Sequence, residues 1–217
     1  LALTIENVKL SDRINSRCEK MNKLIELSDV LKRRNFEVEI FDTGEDAKNR
    51  ACELIKNKRV GYGSSMTLEQ IGLRNSLEQF ASEVYSHAPG QAGESERNAL
   101  TADYYLTSAN AVSMDGYIIN IDGTGNRVGA TCFGPQNIIF FIGKNKITES
   151  LDKALSRAKE TAVKIAIKFN RKTPCVKTGK CEECISPECV CSITTIHRKK
   201  PYGSNVTIFL INEDLGI

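Results

Sequence analysis

Val60-Gly61-Tyr62-Gly63-Ser64-Ser65-Met66-Thr67-Leu68-Glu69-Gln70-Ile71-Gly72-Leu73 is the stretch on which the fold turns. A short run beginning at Arg59 enters a glycine- and serine-rich turn, and the helical spacing of Leu68, Ile71, Leu73 and Leu77 follows. Upstream, Ile14, Cys18, Met21, Leu24, Leu27 and Leu31 recur at three- and four-residue steps, which predicts a helix over 12–35, opened by Ser11 or Asp12 and ended by Asn35. Residues 36–41 alternate with period two and read as a strand. Thr43 then precedes a helix through Ala47, Ala51, Leu54 and Ile55, with Glu45 and Asp46 in its first turn, where the helix dipole favours acids. Downstream, 81–87 reads as a strand and 95–102 as a short helix. Strict alternation of helices and strands predicts an α/β fold, with a mainly parallel sheet flanked by helices.

The middle of the chain is richer in strand. Segments 104–108, 116–121, 129–133 and 137–142 are separated by the turn-formers Asp115-Gly116, Asp122-Gly123, Gly125-Asn126 and Gly134-Pro135. A long helix over 148–170 carries Leu151, Ala154, Leu155, Ala158, Ala162, Ile165 and Phe169 on one side. The last apolar run, 206–211, is expected to return to the main sheet as a strand. The expected organisation is therefore an α/β domain over 1–172, a cysteine-rich insertion over 173–200 and a final strand within 201–217.

With 217 residues, 41% of them apolar, the chain is long enough to bury a core without disulfide staples. Its densest apolar run, Ile138-Ile139-Phe140-Phe141-Ile142, is strand-sized, so no membrane span is expected. A net charge of +3, from 30 basic against 27 acidic residues, lacks the strongly basic footprint of a nucleic-acid binder. The start, Leu1-Ala2-Leu3-Thr4-Ile5-Glu6, shows no basic n-region and no apolar h-region, and a cytoplasmic protein is expected.

Three segments carry candidate chemistry. In Gly61-Tyr62-Gly63-Ser64-Ser65-Met66-Thr67, glycine lets the backbone approach an anion, hydroxyls add donors, and the next helix offers free N–H groups. The segment lacks the Gly-Lys-Ser/Thr of a Walker loop and the third glycine of the dinucleotide fingerprint, and a tight turn with a helix cap explains the same residues. Asp115-Gly116 and Asp122-Gly123-Thr124-Gly125-Asn126-Arg127 read either as two hairpin turns or as a polar loop in which Arg127 clamps a carboxylate or phosphate. If the protein does chemistry, Asp115 and Asp122 are the acid/base candidates. His87 and His197 read as ordinary polar residues, and no Gly-x-Ser-x-Gly elbow is present.

The third segment holds five of the eight cysteines, Cys175, Cys181, Cys184, Cys189 and Cys191. Clustered thiols in an intracellular chain point to a metal centre, either tetrahedral zinc or an iron–sulfur cluster. Five is one more than a four-ligand centre needs, which leaves Cys189 or Cys191 spare. A redox dithiol at Cys181 and Cys184 is the rival reading.

Taken together, these segments resemble the LUD-domain family, the group of lactate-utilisation protein C also known as DUF162. The resemblance rests on Val60–Leu73, on Ala102-Asp103-Tyr104-Tyr105-Leu106-Thr107-Ser108-Ala109-Asn110-Ala111-Val112, on the run from Asp115 to Arg127, and on Phe133-Gly134-Pro135-Gln136-Asn137 through Gly143-Lys144-Asn145-Lys146-Ile147. It implies a fold like that of the sugar-phosphate isomerases and coenzyme A transferases, with an anionic ligand cradled by Gly61, Gly63, Ser64, Ser65 and Thr67. Asp115 falls where the transferases place a glutamate nucleophile, and Asp122 with Lys146 would stand in for the isomerases' Asp and Lys pair. Asn126 and Arg127 join the expected ligand-binding set.

The Thr173-Pro174-Cys175 and Gly179-Lys180-Cys181-Glu182-Glu183-Cys184 segments are similar to those of LUD proteins from anaerobic bacteria and archaea. That version implies Cys175, Cys181, Cys184 and Cys191 as ligands, holding a 4Fe-4S cluster or zinc, with Cys189 spare. The family's role in lactate and 2-hydroxy-acid oxidation implies a small anionic metabolite as ligand, iron–sulfur or flavin partner subunits, and a possible homo-oligomer. Two alternatives remain open. One is a non-catalytic electron-transfer or scaffold subunit with structural zinc; the other is a sugar-phosphate or acyl-CoA enzyme on the same fold.

Overall fold

A computed structural model describes residues 21–86 and 93–217. The first helix, α1, is helical over 21–33 and ends where Asn35 takes the left-handed conformation at φ 67°, as the sequence predicts. The predicted helical residues before 21, with Cys18, lie outside the described residues, as does His87.

The elements that follow are β1 (Glu37–Phe41), α2 (Gly44–Leu54), β2 (Arg59–Tyr62), α3 (Met66–Gln70), α4 (Leu73–Phe80), β3 (Glu83–Ser86), α5 (Glu94–Ala99), β4 (Tyr104–Thr107), β5 (Ala111–Ser113) and β6 (Ile118–Asp122). Then come α6 (Asn126–Phe133), β7 (Asn137–Gly143), a 3-10 turn (Lys144–Lys146), β8 (Ile147–Thr148), α7 (Leu151–Lys168), α8 (Pro174–Thr178), β9 (Ile193–His197) and β10 (Asn205–Ile211).

Six strands form the main sheet in the order β1-β10-β7-β4-β2-β3, and every neighbouring pair is parallel. The α/β class expected from the alternation is the observed one. A parallel sheet needs cover on both faces, and the central strands show it. Ile138, Phe140 and Ile142 of β7 meet Leu24, Leu27 and Leu31 of α1 in one core cluster. Ile139 and Phe141 face the other way, toward Ala47 and Ala51 of α2 and Leu73 and Leu77 of α4. The near-continuous apolar run in β7 is thus two alternating faces, each buried. β10 repeats the arrangement and lies in the main sheet between β1 and β7.

A second, smaller sheet runs β8-β5-β6-β9, with β6 antiparallel to both β5 and β9. Ala154, Ala158 and Ala162 of α7 pack against its Ala111, Ile119 and Ile121. Three alanines at four-residue steps bring the helix backbone close to the sheet. Among the described residues, no helix is long and apolar enough to cross a membrane.

Three local expectations are corrected. Residues 129–133 are not a strand but the second half of α6. Gly125, at φ 93°, turns the chain into that helix, and its buried Val128 and Thr131 sit three apart rather than alternating. The helix predicted from Leu68 through Leu77 is two helices, because Gly72 at φ 70° breaks it between α3 and α4. The segment following the cysteines, expected within the cysteine-rich insertion, forms strand β9. Its exposed and intermediate residues hide the pattern, and only His197 in it is buried.

Candidate functional site

The carboxyl ends of β2, β4 and β7, adjacent in the main sheet, open on one side of the molecule. Ligands in open α/β sheets bind outside such strand ends. Here they face a cavity of about 710 Å³, within the roughly 300–1,000 Å³ of small-molecule sites. β2 delivers Ser64, Ser65 and Thr67 to its wall, β4 delivers Thr107 and Ser108, and the turn after β7 delivers Lys146. The second sheet and α6 add Asp122, Asn126 and Arg127.

Lys146 is the most unusual group. It is 4% exposed, and its Nζ donates to Thr67 Oγ1 and to Ser108 Oγ, both at 2.8 Å. Ser108 in turn donates to the carbonyl of Phe141. Burial, with the positive charges of Arg157 and Arg127 nearby, pushes the lysine down from its ordinary 10.5 to about 7. A Cβ on Gly216 would lie 2.6 Å from Thr67 Oγ1 and 3.1 Å from Lys146 Nζ. Glycine at 216, at φ 71°, is what lets the chain pass over this cluster.

The Asp122–Arg127 pair forms the opposite part of the wall. Asp122 is 3% exposed, and its Oδ1 accepts from the N–H groups of Thr124 and Gly125, each at 3.0 Å. Its Oδ2 accepts from Arg127 Nε at 2.8 Å, while Arg127 Nη2 donates to the Ile121 carbonyl at 3.0 Å. The Asp-Gly-Thr-Gly run is therefore a carboxylate-organised turn that opens a helix and aims an arginine. Gly63 is bound up with the same arginine, since a Cβ there would sit 2.3 Å from Arg127 Cγ and 2.9 Å from the Tyr105 hydroxyl.

A smaller recess lies beside this cavity, lined by Cys175, Cys181, Cys184, Cys189 and Cys191 together with Lys159 and Val163 of α7. Cys189 and Val190 line both spaces. Burial and the neighbouring thiols of Cys189, Cys181 and Cys184 push Cys191 up to about 11. Cys175 Sγ lies 3.1 Å from the Thr173 hydroxyl. All five are free thiols, and among the described residues no three His, Cys, Asp or Glu side chains are already drawn together as a metal-ion site. Soft thiol donors gathered in one recess are the donor type that zinc and iron–sulfur centres use.

Comparison with known proteins settles the family. The family model of the LUD domain matches residues 24–211. The chain belongs to the LUD-domain family. A crystal structure of a DUF162 family protein from Deinococcus radiodurans has the same fold, with a TM-score of 0.54 at 12% identity, covering 88% of this chain and 98% of the other. No curated protein matches the chain significantly.

Within this LUD domain, the structure brings Ser64, Ser65, Thr67, Asp122, Asn126, Arg127 and Lys146 to one cavity. Gly61 is placed elsewhere. It lies in β2, where a Cβ would strike Ala99 of α5 at 2.7 Å, so it serves helix–sheet packing. Asp115 is exposed in the β5–β6 turn, outside the cavity, with its carbonyl accepting from Arg34 Nε at 2.7 Å. His197 is buried and bonds the Thr131 carbonyl at 3.1 Å, tying β9 to α6.

Sequence reasoning missed Ser108 and Arg157. Ser108 follows β4 at the carboxyl end of a parallel strand, and that position alone could have marked it. Arg157 bonds the carbonyls of Asn145, Asn110 and Ile217. Its signal was an arginine set three residues after Ala154 and four before Thr161, on the buried side of α7.

Proposed function

We propose that this LUD domain binds a small anionic metabolite of the lactate or 2-hydroxy-acid class in the cavity at the ends of β2, β4 and β7, beside a cysteine-held iron–sulfur centre. One observation supports the reading above others: buried Lys146 and the aimed Arg127 line the same cavity as the Ser64–Thr67 loop. Hydroxyl donors and a guanidinium suit a carboxylate with an adjacent oxygen. Asp122 acts as a positioning residue, because both its oxygens are already committed to the turn and to Arg127.

Cys175, Cys181, Cys184 and Cys191 would hold the centre, with Cys189 on the wall shared with the cavity. When bound, a 4Fe-4S centre supplies one-electron transfer. Zinc on the same sulfurs would be structural.

Strictly anaerobic purification with iron, zinc and acid-labile sulfide analysis tests the cysteine half of the reading. Iron and sulfide, lost in Cys181→Ser and Cys184→Ser but kept in Cys189→Ser, are expected. One zinc with no colour or sulfide would turn the centre into a structural knot. Calorimetric titration with lactate and pyruvate tests the cavity half.

A further inference from the structure

The hydrogen bonds around Lys146 fix more than an anion site. The Ser108 hydroxyl spends its proton on the Phe141 carbonyl, and the Thr67 hydroxyl points its own at Ser108 Oγ, 3.3 Å away. Both hydroxyls can therefore only accept from Lys146, and both do so at 2.8 Å. Two N–H bonds of the lysine are thus committed to the protein. A neutral amine keeps its lone pair free at the third position, whereas an ammonium carries there a proton with no hydrogen-bond acceptor among the described residues. The charges acting on the nitrogen come from Arg157 and Arg127, both positive. A buried amine beside cations is the environment that keeps a lysine neutral and nucleophilic.

We propose that Lys146 is a Schiff-base lysine that condenses with the carbonyl of a 2-oxo acid held in this cavity. The inference rests on the proposed carboxylate binding and names the chemistry of that site. The Nζ lone pair attacks the keto carbon and forms a C–N bond, the carbonyl oxygen takes up the two protons that the amine gives up, and it leaves as water. The product is an imine to Lys146 Nζ, with no change in oxidation state. Arg127 takes the carboxylate, so the keto group beside it is the part left for the amine. A 2-hydroxy acid has no carbonyl and occupies the same place without condensing. Thr67 and Ser108 act as positioning residues, fixing two N–H bonds so that the lone pair has one direction. Gly216, packed over Nζ and Thr67 Oγ1, holds the cluster shut on that side.

The test treats the full chain with pyruvate and sodium borohydride, which fixes an imine as a secondary amine, and reads the intact mass and the modified peptide. Pyruvate binding without reductant and lactate binding are measured in parallel by calorimetry. The expected result is one adduct per chain, heavier by pyruvic acid less one oxygen atom and mapped to Lys146. It should form roughly tenfold faster than at any other lysine and be slowed by lactate. Lys146→Arg abolishes it, while Lys144→Arg, which alters a lysine bonded to the Asn212 carbonyl, leaves it intact. Peptide mapping of the unsubstituted protein locates the adduct even if Lys146→Arg folds poorly. Pyruvate binding with no adduct, or with label spread evenly over the lysines, overturns the imine and leaves the carboxylate reading standing. Binding of neither acid, with no adduct, overturns both. An adduct at Lys146 that lactate does not slow keeps the imine and removes the shared carboxylate site.

Discussion

The Lys146 cavity and the cysteine recess lie side by side, yet they are built in different ways. Strand ends of the parallel sheet and the start of α6 hold Thr67, Ser108, Lys146, Asp122 and Arg127, and hydrogen bonds between about 2.8 and 3.3 Å fix each one. The cysteines sit on α8 and on the irregular chain from 179 to 192, mostly at intermediate or full exposure, with Thr173 and Ser192 as hydroxyl neighbours. One site is made by the fold before any ligand arrives; the other is a loose set of thiols. On the proposed reading, folding free energy stands behind the first and metal-binding free energy behind the second.

That contrast can be broken most sharply from the cysteine side. Cys181→Ser and Cys184→Ser are expected to lose nearly all bound iron and to open 179–192 to limited proteolysis, with the circular dichroism of the α/β core unchanged. Collapse of the core together with iron loss would show that the recess is as much part of the fold as the cavity is.

On the cavity side, Gly63→Val drives a side chain into the Arg127 stem and the Tyr105 hydroxyl. Overpacking of this kind is expected to cost about 1–3 kcal/mol in urea unfolding, and it also displaces the clamp. An unchanged midpoint would mean that Arg127 is not held as described.

The buried lysine makes a pH prediction. Lys146 titrates near 7 in the fold and near 10.5 when unfolded. Between those values the unfolded chain binds the extra proton, so the contribution of Lys146 to stability rises with pH, by up to about 1.4 kcal/mol per pH unit. Stability curves of the wild type and Lys146→Met should therefore diverge in slope between about pH 7 and 10.5 and run parallel below that window. Parallel curves throughout would place the lysine in water. Asp115→Ala is the smallest effect, within about 0.5 kcal/mol and without change in ligand binding, since that side chain lies outside the cavity.

Much of the architecture was legible in the sequence because local and long-range signals agreed. The apolar run from Ile138 to Ile142 is strand-sized, and helical spacing follows the turn after Tyr62. Residues 129–133 misled because Val128, Thr131 and Phe133 suit a strand by type, while the left-handed Gly125 that starts the helix looks in sequence like another hairpin turn. Strand β9 was hidden because the buried side chain among its five residues is the polar His197.

The site was legible in pieces. Arg127, Lys146 and the serine loop stood out by residue type and by family resemblance. That Ser108 and Thr67 meet at Lys146 depends on contacts 38 and 79 positions apart, and that the charge of Arg157 acts on the lysine depends on its place on the buried side of a helix. Local sequence pattern does not carry such contacts.

On the proposed reading, the fold alone makes a carboxylate site around Arg127. The direct test is a calorimetric titration of lactate into the intact protein and into Arg127→Gln, which keeps the stem packed beside Gly63 but removes the charge. Saturable binding to one site per chain, weakened roughly 10–100-fold in the variant, is the predicted result. Absence of saturable binding, or equal affinity in both proteins, would contradict it.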